Sequence, residues 1–221
     1  MNPMKILVTA GPTKEPIDPV RFISNHSTGV MGYAIAAVAR VRKHKVVLVS
    51  GPTNMLSPKG IKVCKVTTAD EMLAAVKRHI KNVDCVIMSA AVSDYKSKKY
   101  NKTKLKRTNK IDKIALTKNP DILLWLGKHK KNKLLVGFCM ETENLLQNAK
   151  KKLHKKSLDL IVANKVNKEK SVFGKGKTSV LLIDSKQSPT QIKNSTKAQI
   201  AGILLDKIEQ LWYNKNPIKT V

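Results

Sequence analysis

Residues 6–13 read ILVTAGPT, an apolar run that ends in a glycine and a proline. A run of this length predicts a buried β-strand, and the glycine-proline pair predicts where that strand ends. From about Thr28 onward the apolar residues recur at helical spacing, with Met31, Ile35 and Val38 on one stripe. A strand followed by an amphipathic helix begins a βαβ unit, so this stretch indicates an α/β fold.

The alternation of strands and helices continues along the chain. Further strand-length runs occupy residues 46–49, 61–66, 85–88, 134–138, 160–163 and 180–183, and helical spacing recurs around residues 145–153 and 200–211. Thr68 with Glu71 predicts a capping box that opens one helix, and Asn119 before Pro120 predicts the N-cap and first residue of another. We therefore predict a doubly wound, mostly parallel, Rossmann-like sheet in a single domain over residues 1–221, with ligands bound beyond the carboxyl ends of its strands.

The composition is strongly basic, because 43 Lys and Arg against 15 Asp and Glu give a formal net charge of +28. Such a charge attracts nucleic acid or a phosphorylated metabolite, unless the lysines are simply solvated. The basic residues are not interleaved with aromatic residues that stack on bases, which disfavours specific nucleic-acid binding. The most basic stretch, residues 96–118, has ten basic residues and one acidic residue, which suits either a mobile, solvated loop or a lid over an anion.

The three cysteines, Cys64, Cys85 and Cys139, each lie in a strand-like run and form no CxxC pair. This pattern is typical of small core residues in a reducing compartment. No apolar run is long enough for a signal peptide or a membrane span. We therefore expect a cytoplasmic protein with no membrane partner.

Gly29 and Gly32 stand at the predicted helix start, where small residues let a phosphate approach backbone N–H groups. The same spacing also serves close packing of a helix on a sheet. The pattern is neither GxGxxG nor a Walker loop, so the glycines alone indicate only a general nucleotide site.

Several ordered motifs make the functional prediction more specific. Residues 10–36 read AGPTKEPIDPVRFISNHSTGVMGYAIA, and they are followed by SAAVSDY at 89–95, KLKR at 104–107, KNPDIL at 118–123, VGFCMET at 136–142 and DLIVAN at 159–164. Together these segments resemble the phosphopantothenoylcysteine synthetase family.

The resemblance implies a ligase that joins cysteine to 4'-phosphopantothenate in coenzyme A biosynthesis. The substrate carboxylate would attack the α-phosphate of a nucleotide, and cysteine's amine would then displace the nucleotide from the acyl nucleotidylate. The resemblance further implies CTP rather than ATP, Mg²⁺ accompanying the triphosphate, and a homodimer with residues 96–118 as a lid or dimerisation segment. Flavin is not expected, because the decarboxylase half found in fused relatives has no counterpart here.

The resemblance also assigns residues. Asn25, Arg21 and Lys104 would be catalytic, and Asn25, Arg21 and Ala91 would contact the substrate. Asp94 would bind the ribose, Phe138 would pack on the base, and no metal ligands are assigned. The nucleotide site as a whole would comprise Gly11, Ser27, Gly29, Met88, Ser89, Ala90, Asp94, Lys104, Pro120, Asp121, Ile122, Leu123, Phe138, Lys152 and Lys156.

Lys152 and Lys156 are four residues apart on a predicted helix, where like charges repel each other unless an anion lies between them. This spacing suits a triphosphate clamp, which is the role that the resemblance gives them. The alternative is a solvated helix face.

Tyr95 and Lys99 fit the Tyr-x-x-x-Lys spacing of short-chain reductases. Those enzymes need the pair within a helix and a glycine-rich turn directly after the first strand, and the sequence predicts neither. A nicotinamide-dependent reductase and a basic nucleic-acid-binding protein remain the two alternative functions.

Overall fold

The computed structural model describes residues 3–106, 113–165, 174, 176–184 and 189–217. Its strands are β1 (Lys5–Ala10), β2 (Lys14–Pro16), β3 (Phe22–Ser24), β4 (Lys45–Ser50), β5 (Lys62–Lys65), β6 (Cys85–Met88), β7 (Tyr95–Ser97), β8 (Leu116–Lys118), β9 (Leu134–Glu141), β10 (Leu160–Lys165), β11 (Thr178–Asp184) and β12 (Thr190–Ser195). Its helices are α1 (Val30–Val41), α2 (Ala69–His79), α3 (Ile122–His129), α4 (Leu145–Lys155) and α5 (Lys197–Lys215), with a short 3₁₀ turn at Ile80–Asn82.

Eight strands form one central sheet in the order β5-β4-β1-β6-β9-β10-β11-β12. The first six run parallel to their neighbours, and β11 and β12 close the sheet in antiparallel pairs. The predicted doubly wound, mostly parallel sheet is therefore confirmed, and each of the seven predicted strands is present. Strand β12 was not predicted, because Ile192 is its only large apolar residue.

The sheet is covered on both faces, which explains why its central strands are apolar at successive positions. Ile6 and Val8 of β1 belong to one core cluster together with α1 and α5, whereas Leu7 belongs to the opposite cluster with α2, α3 and α4. Cys85 is buried in the first cluster and Cys139 in the second, and all three cysteines are free thiols. The predicted core role of the cysteines is confirmed for these two, and Cys64 is half-buried.

Helix α1 lies directly against β1, and Gly32 permits this contact. A Cβ atom at Gly32 would lie 2.6 Å from the Ala10 Cβ and 2.9 Å from the Thr9 carbonyl oxygen. Gly32 therefore serves helix–sheet packing, which is the second of the two roles that its spacing allowed. The helix itself begins at Val30, after Gly29.

The helix caps partly differ from the predictions. Thr68 caps α2 by accepting from the Glu71 N–H at 3.2 Å, but the Glu71 carboxylate accepts from the Thr67 N–H instead of completing the capping box. For α3 the predicted Asn119–Pro120 start was wrong, because Asp121 is the N-cap and accepts from the Leu124 N–H at 2.9 Å.

The segment at residues 96–118 is more regular at its ends than its composition indicated. Strands β7 and β8 pair antiparallel, with Tyr95 opposite Lys118, and β2 and β3 form a second two-stranded ribbon. Three-residue strands fall below the length at which hydrophobic alternation can be recognised. Arg107 of the KLKR motif lies outside the described residues, as do residues 108–112. In the described part of the chain, no helix is both long and apolar enough to cross a membrane.

Asp159 ties several elements together at the amino ends of β9 and β10. Its carboxylate accepts from Lys130 at 2.5 Å, Lys215 at 2.6 Å and the Leu135 N–H at 2.8 Å, and its side chain is 14% exposed. Burial tends to raise the pKa of this carboxyl group, but the bonds to Lys130 and Lys215 outweigh burial and lower the pKa below its ordinary value.

We predict that Asp159→Ala lowers the free energy of unfolding by about 2 kcal/mol at neutral pH, since two ammonium groups and a backbone N–H lose their acceptor. Denaturant unfolding measures this loss. The lowered pKa means that the stabilisation is fully present above the ordinary carboxyl pKa and is lost as the pH falls through the lower pKa of the folded state, so the difference between the two proteins should shrink in acid. In the control, Asp206→Ala should cost less than about 1 kcal/mol, because Asp206 is 64% exposed in its ion pair with Arg42. Equal losses in the two variants would contradict the prediction.

Candidate active site

The chain reverses its direction of travel across the sheet between β1 and β6. After β1 it builds β4 and β5 on one side, and from β6 onward it builds β9 and β10 on the other. Doubly wound sheets bind ligands beyond the carboxyl ends of their strands at such a switch point. Here that region, which we call the crevice, lies at the loops that leave β1 and β6. Most of the predicted site residues lie on these two loops.

The two loops are joined through the backbone of Ala91. Its N–H donates to the Gly11 carbonyl at 2.9 Å, and its carbonyl accepts from the Thr13 N–H at 3.2 Å. The Asn25 side chain adds a third bond, because Nδ2 donates to the same Ala91 carbonyl at 3.0 Å. The structure thus brings together three predicted site residues, Gly11, Asn25 and Ala91.

Two buried threonines support this junction, and sequence reasoning did not select them. Thr9 Oγ1 accepts from the Ala90 N–H at 3.1 Å, and Thr13 Oγ1 accepts from the Ser93 N–H at 3.0 Å. Both threonines are completely buried. The residues that follow Met88 are therefore fixed by side chains from β1 and from the loop after it. In the sequence, only the threonine hydroxyls in this apolar run could have indicated this.

Gly11 and Gly29 pack against Thr53, which lies after β4. Both glycines have positive φ, 73° and 80°, a region that favours glycine. A Cβ atom at Gly11 or Gly29 would lie 2.6 or 2.8 Å from the Thr53 Cγ2. Gly29 is the N-cap of α1 and provides no side-chain cap, while Ser27 Oγ accepts from the Gly29 N–H at 3.4 Å. The start of α1 thus faces the crevice with backbone groups, an arrangement suited to an anion.

Asn119 links the β6 loop to α3, which is the role that it has in place of the predicted N-cap. Its backbone N–H donates to the Asp94 carbonyl and its Nδ2 to the Ser93 carbonyl, each at 2.9 Å. The Asp94 side chain itself is exposed to solvent. Asp94 therefore lies close to Asn119, which directly precedes Pro120 and Asp121.

The proposed wall of the base site is partly in place. Ile122 is buried, and Leu123 is half-buried and packs on the core between the sheet and α2–α4. Phe138 is also half-buried, but it packs on the opposite core cluster, with α1 and α5. Met88 is buried and its sulfur accepts from Thr9 Oγ1 at 3.6 Å. This side chain is therefore part of the core beneath the β6 loop.

Lys152 and Lys156 have different surroundings. Lys156 follows the last turn of α4, and its ammonium group forms an ion pair with Asp121, the N-cap of α3. Partial burial tends to raise the pKa of Asp121, but the bonds from Lys156 and the Leu124 N–H and the nearby Lys152 outweigh burial and lower this pKa below its ordinary value. The anion closest to Lys156 is therefore a carboxylate of the chain itself. Lys152 lies one helical turn nearer to the carboxyl ends of the strands.

Arg21 is engaged by neighbouring groups. Its Nε and Nη2 donate to the Asp18 carboxylate at 2.9 and 2.5 Å, and Nη2 also donates to the Leu105 carbonyl at 2.7 Å. The Asp18 side chain is completely buried, and the bond from Arg21 holds the pKa of that carboxyl group well below its usual range. Lys104, the residue before Leu105, is exposed.

The reductase pattern is not supported. Tyr95 is the first residue of β7, and Lys99 lies beyond the end of that strand. The two residues therefore do not lie one turn apart on a helix, as the reductase pattern requires.

A metal held by the protein does not fit the described residues, among which no group of three or more His, Cys, Asp or Glu side chains could bind an ion. Three carboxylates near the two loops already accept from other groups: Asp18 from Arg21, Asp121 from Lys156, and Glu15 from the Ala69 N–H at 2.9 Å. The exposed Asp94 by itself does not make a metal site. A magnesium ion arriving with a triphosphate would be held mainly by phosphate oxygens and water.

Residues 1–211 match the family model described as the DNA/pantothenate metabolism flavoprotein C-terminal domain. The chain therefore belongs to this family. It is 41% identical over 205 residues to the coenzyme A biosynthesis bifunctional protein CoaBC of Borreliella burgdorferi, covering 91% of this chain and 51% of that protein. The chain thus spans about half the length of the curated relatives it matches.

Two solved structures have the same fold. The C-terminal domain of a coenzyme A biosynthesis bifunctional protein CoaBC is 39% identical, with a TM-score of 0.82 and 96% of each chain covered. A Cab2 variant in complex with phosphopantothenate-cysteine is 17% identical, with a TM-score of 0.77, 96% of this chain covered and 88% of that one. The second likeness concerns the fold alone.

We predict that Lys156→Gln lowers the melting temperature by about 1–3 °C, because the N-cap of α3 loses its half-buried ionic partner. Lys152→Gln should shift it by less than about 1 °C, since Lys152 has no such ion pair among the described residues. Thermal unfolding of the two single variants at pH 7 measures the difference. Equal shifts would show that the Asp121 ion pair adds no stability.

Proposed function

We propose that this chain is a phosphopantothenate–cysteine ligase that acts through an acyl nucleotidylate in coenzyme A biosynthesis. The observation that carries the proposal is the junction at Ala91. There Asn25, which precedes α1 in the chain, donates a hydrogen bond from Nδ2 to the carbonyl of the β6 loop. The close likeness to the C-terminal domain of CoaBC over nearly the whole chain supports the same activity.

The proposed chemistry needs few acid–base groups. In the first step a carboxylate oxygen of phosphopantothenate bonds to the α-phosphorus of the nucleotide, and the bond to pyrophosphate breaks. In the second step the amine of cysteine bonds to the acyl carbon, the bond to the nucleotide monophosphate breaks, and the amine loses a proton. Both steps depend mainly on cations for the phosphates and on donors for the acyl oxygen.

Asn25 suits the role of donor to the acyl oxygen. An amide nitrogen carries two hydrogens, and the bond to Ala91 takes one of them and fixes the direction of the other. Lys104 is exposed, so its ammonium group is available to a phosphate or acyl group. Lys152 is better suited than Lys156 to bind the triphosphate, because Asp121 partly neutralises the charge of Lys156.

We propose CTP as the nucleotide, with Mg²⁺ carried by its phosphates. The KNPDIL stretch supports this choice, and its Asn119 N–H donates to the Asp94 carbonyl at 2.9 Å. A cytoplasmic location suits the three free cysteines, none of which forms a disulfide. A homodimer is supported by the apolar side chains exposed on the two short ribbons, including Phe22 and Leu116, which are 47% and 50% exposed.

The decisive experiment incubates the protein with 4'-phosphopantothenate, cysteine and each nucleoside triphosphate in turn, and identifies the nucleotide product. We expect CMP and pyrophosphate with CTP, and acyl-CMP when cysteine is omitted. A nucleoside diphosphate product would contradict the acyl nucleotidylate. Absence of any ligation product with all four nucleotides would refute the proposed function.

We predict that Asn25→Ala slows the second half-reaction by ~10²–10³, because the acyl oxygen gains charge when the amine adds and loses one preorganised donor. Acyl-CMP should then accumulate in a quenched assay that contains cysteine. Asn82→Ala serves as the control and should react at the normal rate, because Asn82 is an exposed asparagine in the 3₁₀ turn that precedes the amino end of β6. Normal product formation by a folded Asn25→Ala variant would remove Asn25 from the catalytic residues.

A further inference from the structure

Asp18 and Arg21 together hold both backbone polar groups of Leu105. The Leu105 N–H donates to Asp18 Oδ2 at 3.2 Å, and the Leu105 carbonyl accepts from Arg21 Nη2 at 2.7 Å. The two side chains are themselves joined through Arg21 Nε and the same carboxylate oxygen. One residue of the basic segment is thus bound from both sides by a pair that lies 84 and 87 positions away in sequence.

Asp18 is built into its own loop before it reaches Leu105. Its Oδ1 accepts from the Val20 and Arg21 N–H groups, each at 2.8 Å, and its side chain is completely buried. These bonds are those of an Asp-initiated turn, which leaves the second carboxylate oxygen directed at Arg21 and Leu105. The carboxylate therefore has little freedom to move.

A second attachment lies four residues earlier. The Asn101 N–H donates to the Ile17 carbonyl at 3.0 Å. Residues 102–104 therefore form a short arch between two points of attachment on the loop between β2 and β3. Lys104 is the last residue of this arch and directly precedes Leu105.

We propose that the Asp18–Arg21 pair acts as a clasp that positions Lys104, and that Arg21 is a positioning residue and not a cation for the substrate. This inference rests on the proposed function for the role of Lys104. The charge of Arg21 is already balanced by Asp18 at 2.5 Å, so little of it remains for a phosphate. The planar fork of the guanidinium group bonds a carboxylate and a carbonyl at once, which a lysine ammonium on a flexible stem cannot reproduce.

The clasp is tested with Asp18→Asn, Arg21→Lys and the control Asp70→Asn. Asp70 also forms an ion pair with the basic segment, through Lys96, but it does not contact Leu105. For Asp18→Asn and Arg21→Lys we expect kcat to fall by ~10–100-fold with less than about a threefold change in the KM for CTP, because a displaced catalytic group costs rate more than binding. Asp70→Asn should retain normal kcat.

Hydrogen exchange at the Leu105 amide provides a readout that does not depend on turnover. The amide should be protected in the natural chain and in Asp70→Asn, and should exchange faster in Asp18→Asn and Arg21→Lys. Normal kcat in Arg21→Lys would show that the charge of Arg21 suffices and would overturn the clasp. Unprotected exchange at Leu105 in the natural chain would overturn it as well. If the natural chain showed no ligase turnover while Leu105 exchange followed the expected pattern, the proposed function would fail and the attachment of Leu105 would stand.

Discussion

The site depends on one backbone junction, the pairing of residues 11–13 with Ala91 beyond the ends of two adjacent parallel strands. Strands β1 and β6 stop at Ala10 and Met88, yet the isolated bridge between Pro12 and Ala91 continues their hydrogen-bonding past the sheet. Loops that leave a doubly wound sheet at a switch point ordinarily diverge. Here the junction holds them at a fixed separation, so side chains on either loop have a defined place across the crevice.

Buried polar groups stabilise this junction, and each has a partner. Thr9, Thr13 and Glu15 are almost completely buried, and each accepts a hydrogen bond from a backbone N–H of a different segment. Each such bond adds only modestly to the free energy of unfolding. Breaking one is costly, because a buried backbone N–H would lose its acceptor. The residues that shape the site are therefore largely distinct from those expected to touch a ligand.

Much of the fold could be predicted from the sequence. Alternating apolar strands and amphipathic helices are local patterns, and they specify a doubly wound sheet with little information about long-range contacts. The motif from Ala10 to Ala36 also predicts where a ligand binds, and two of its residues, Gly11 and Asn25, bond Ala91. The hydrogen-bond and ion-pair partners of the polar residues could not be predicted from the sequence. Asp121 caps α3 where Asn119 was expected, and Lys156 pairs with Asp121, 35 positions away. Asp18 was not selected either, since its contact with Leu105 depends on how two loops fold back on each other.

The edges of the sheet have a consequence for the behaviour of the protein in concentrated solution. Strands β5 and β12 occupy the two ends of the strand order, where unpaired backbone groups could recruit a strand from another molecule. Strand β5 begins and ends with exposed lysines, Lys62 and Lys65, and β12 carries the exposed Lys193. Two molecules that approach edge to edge would bring ammonium groups together on surfaces that are already strongly positive. The excess of lysine therefore disfavours intermolecular sheet extension at both edges.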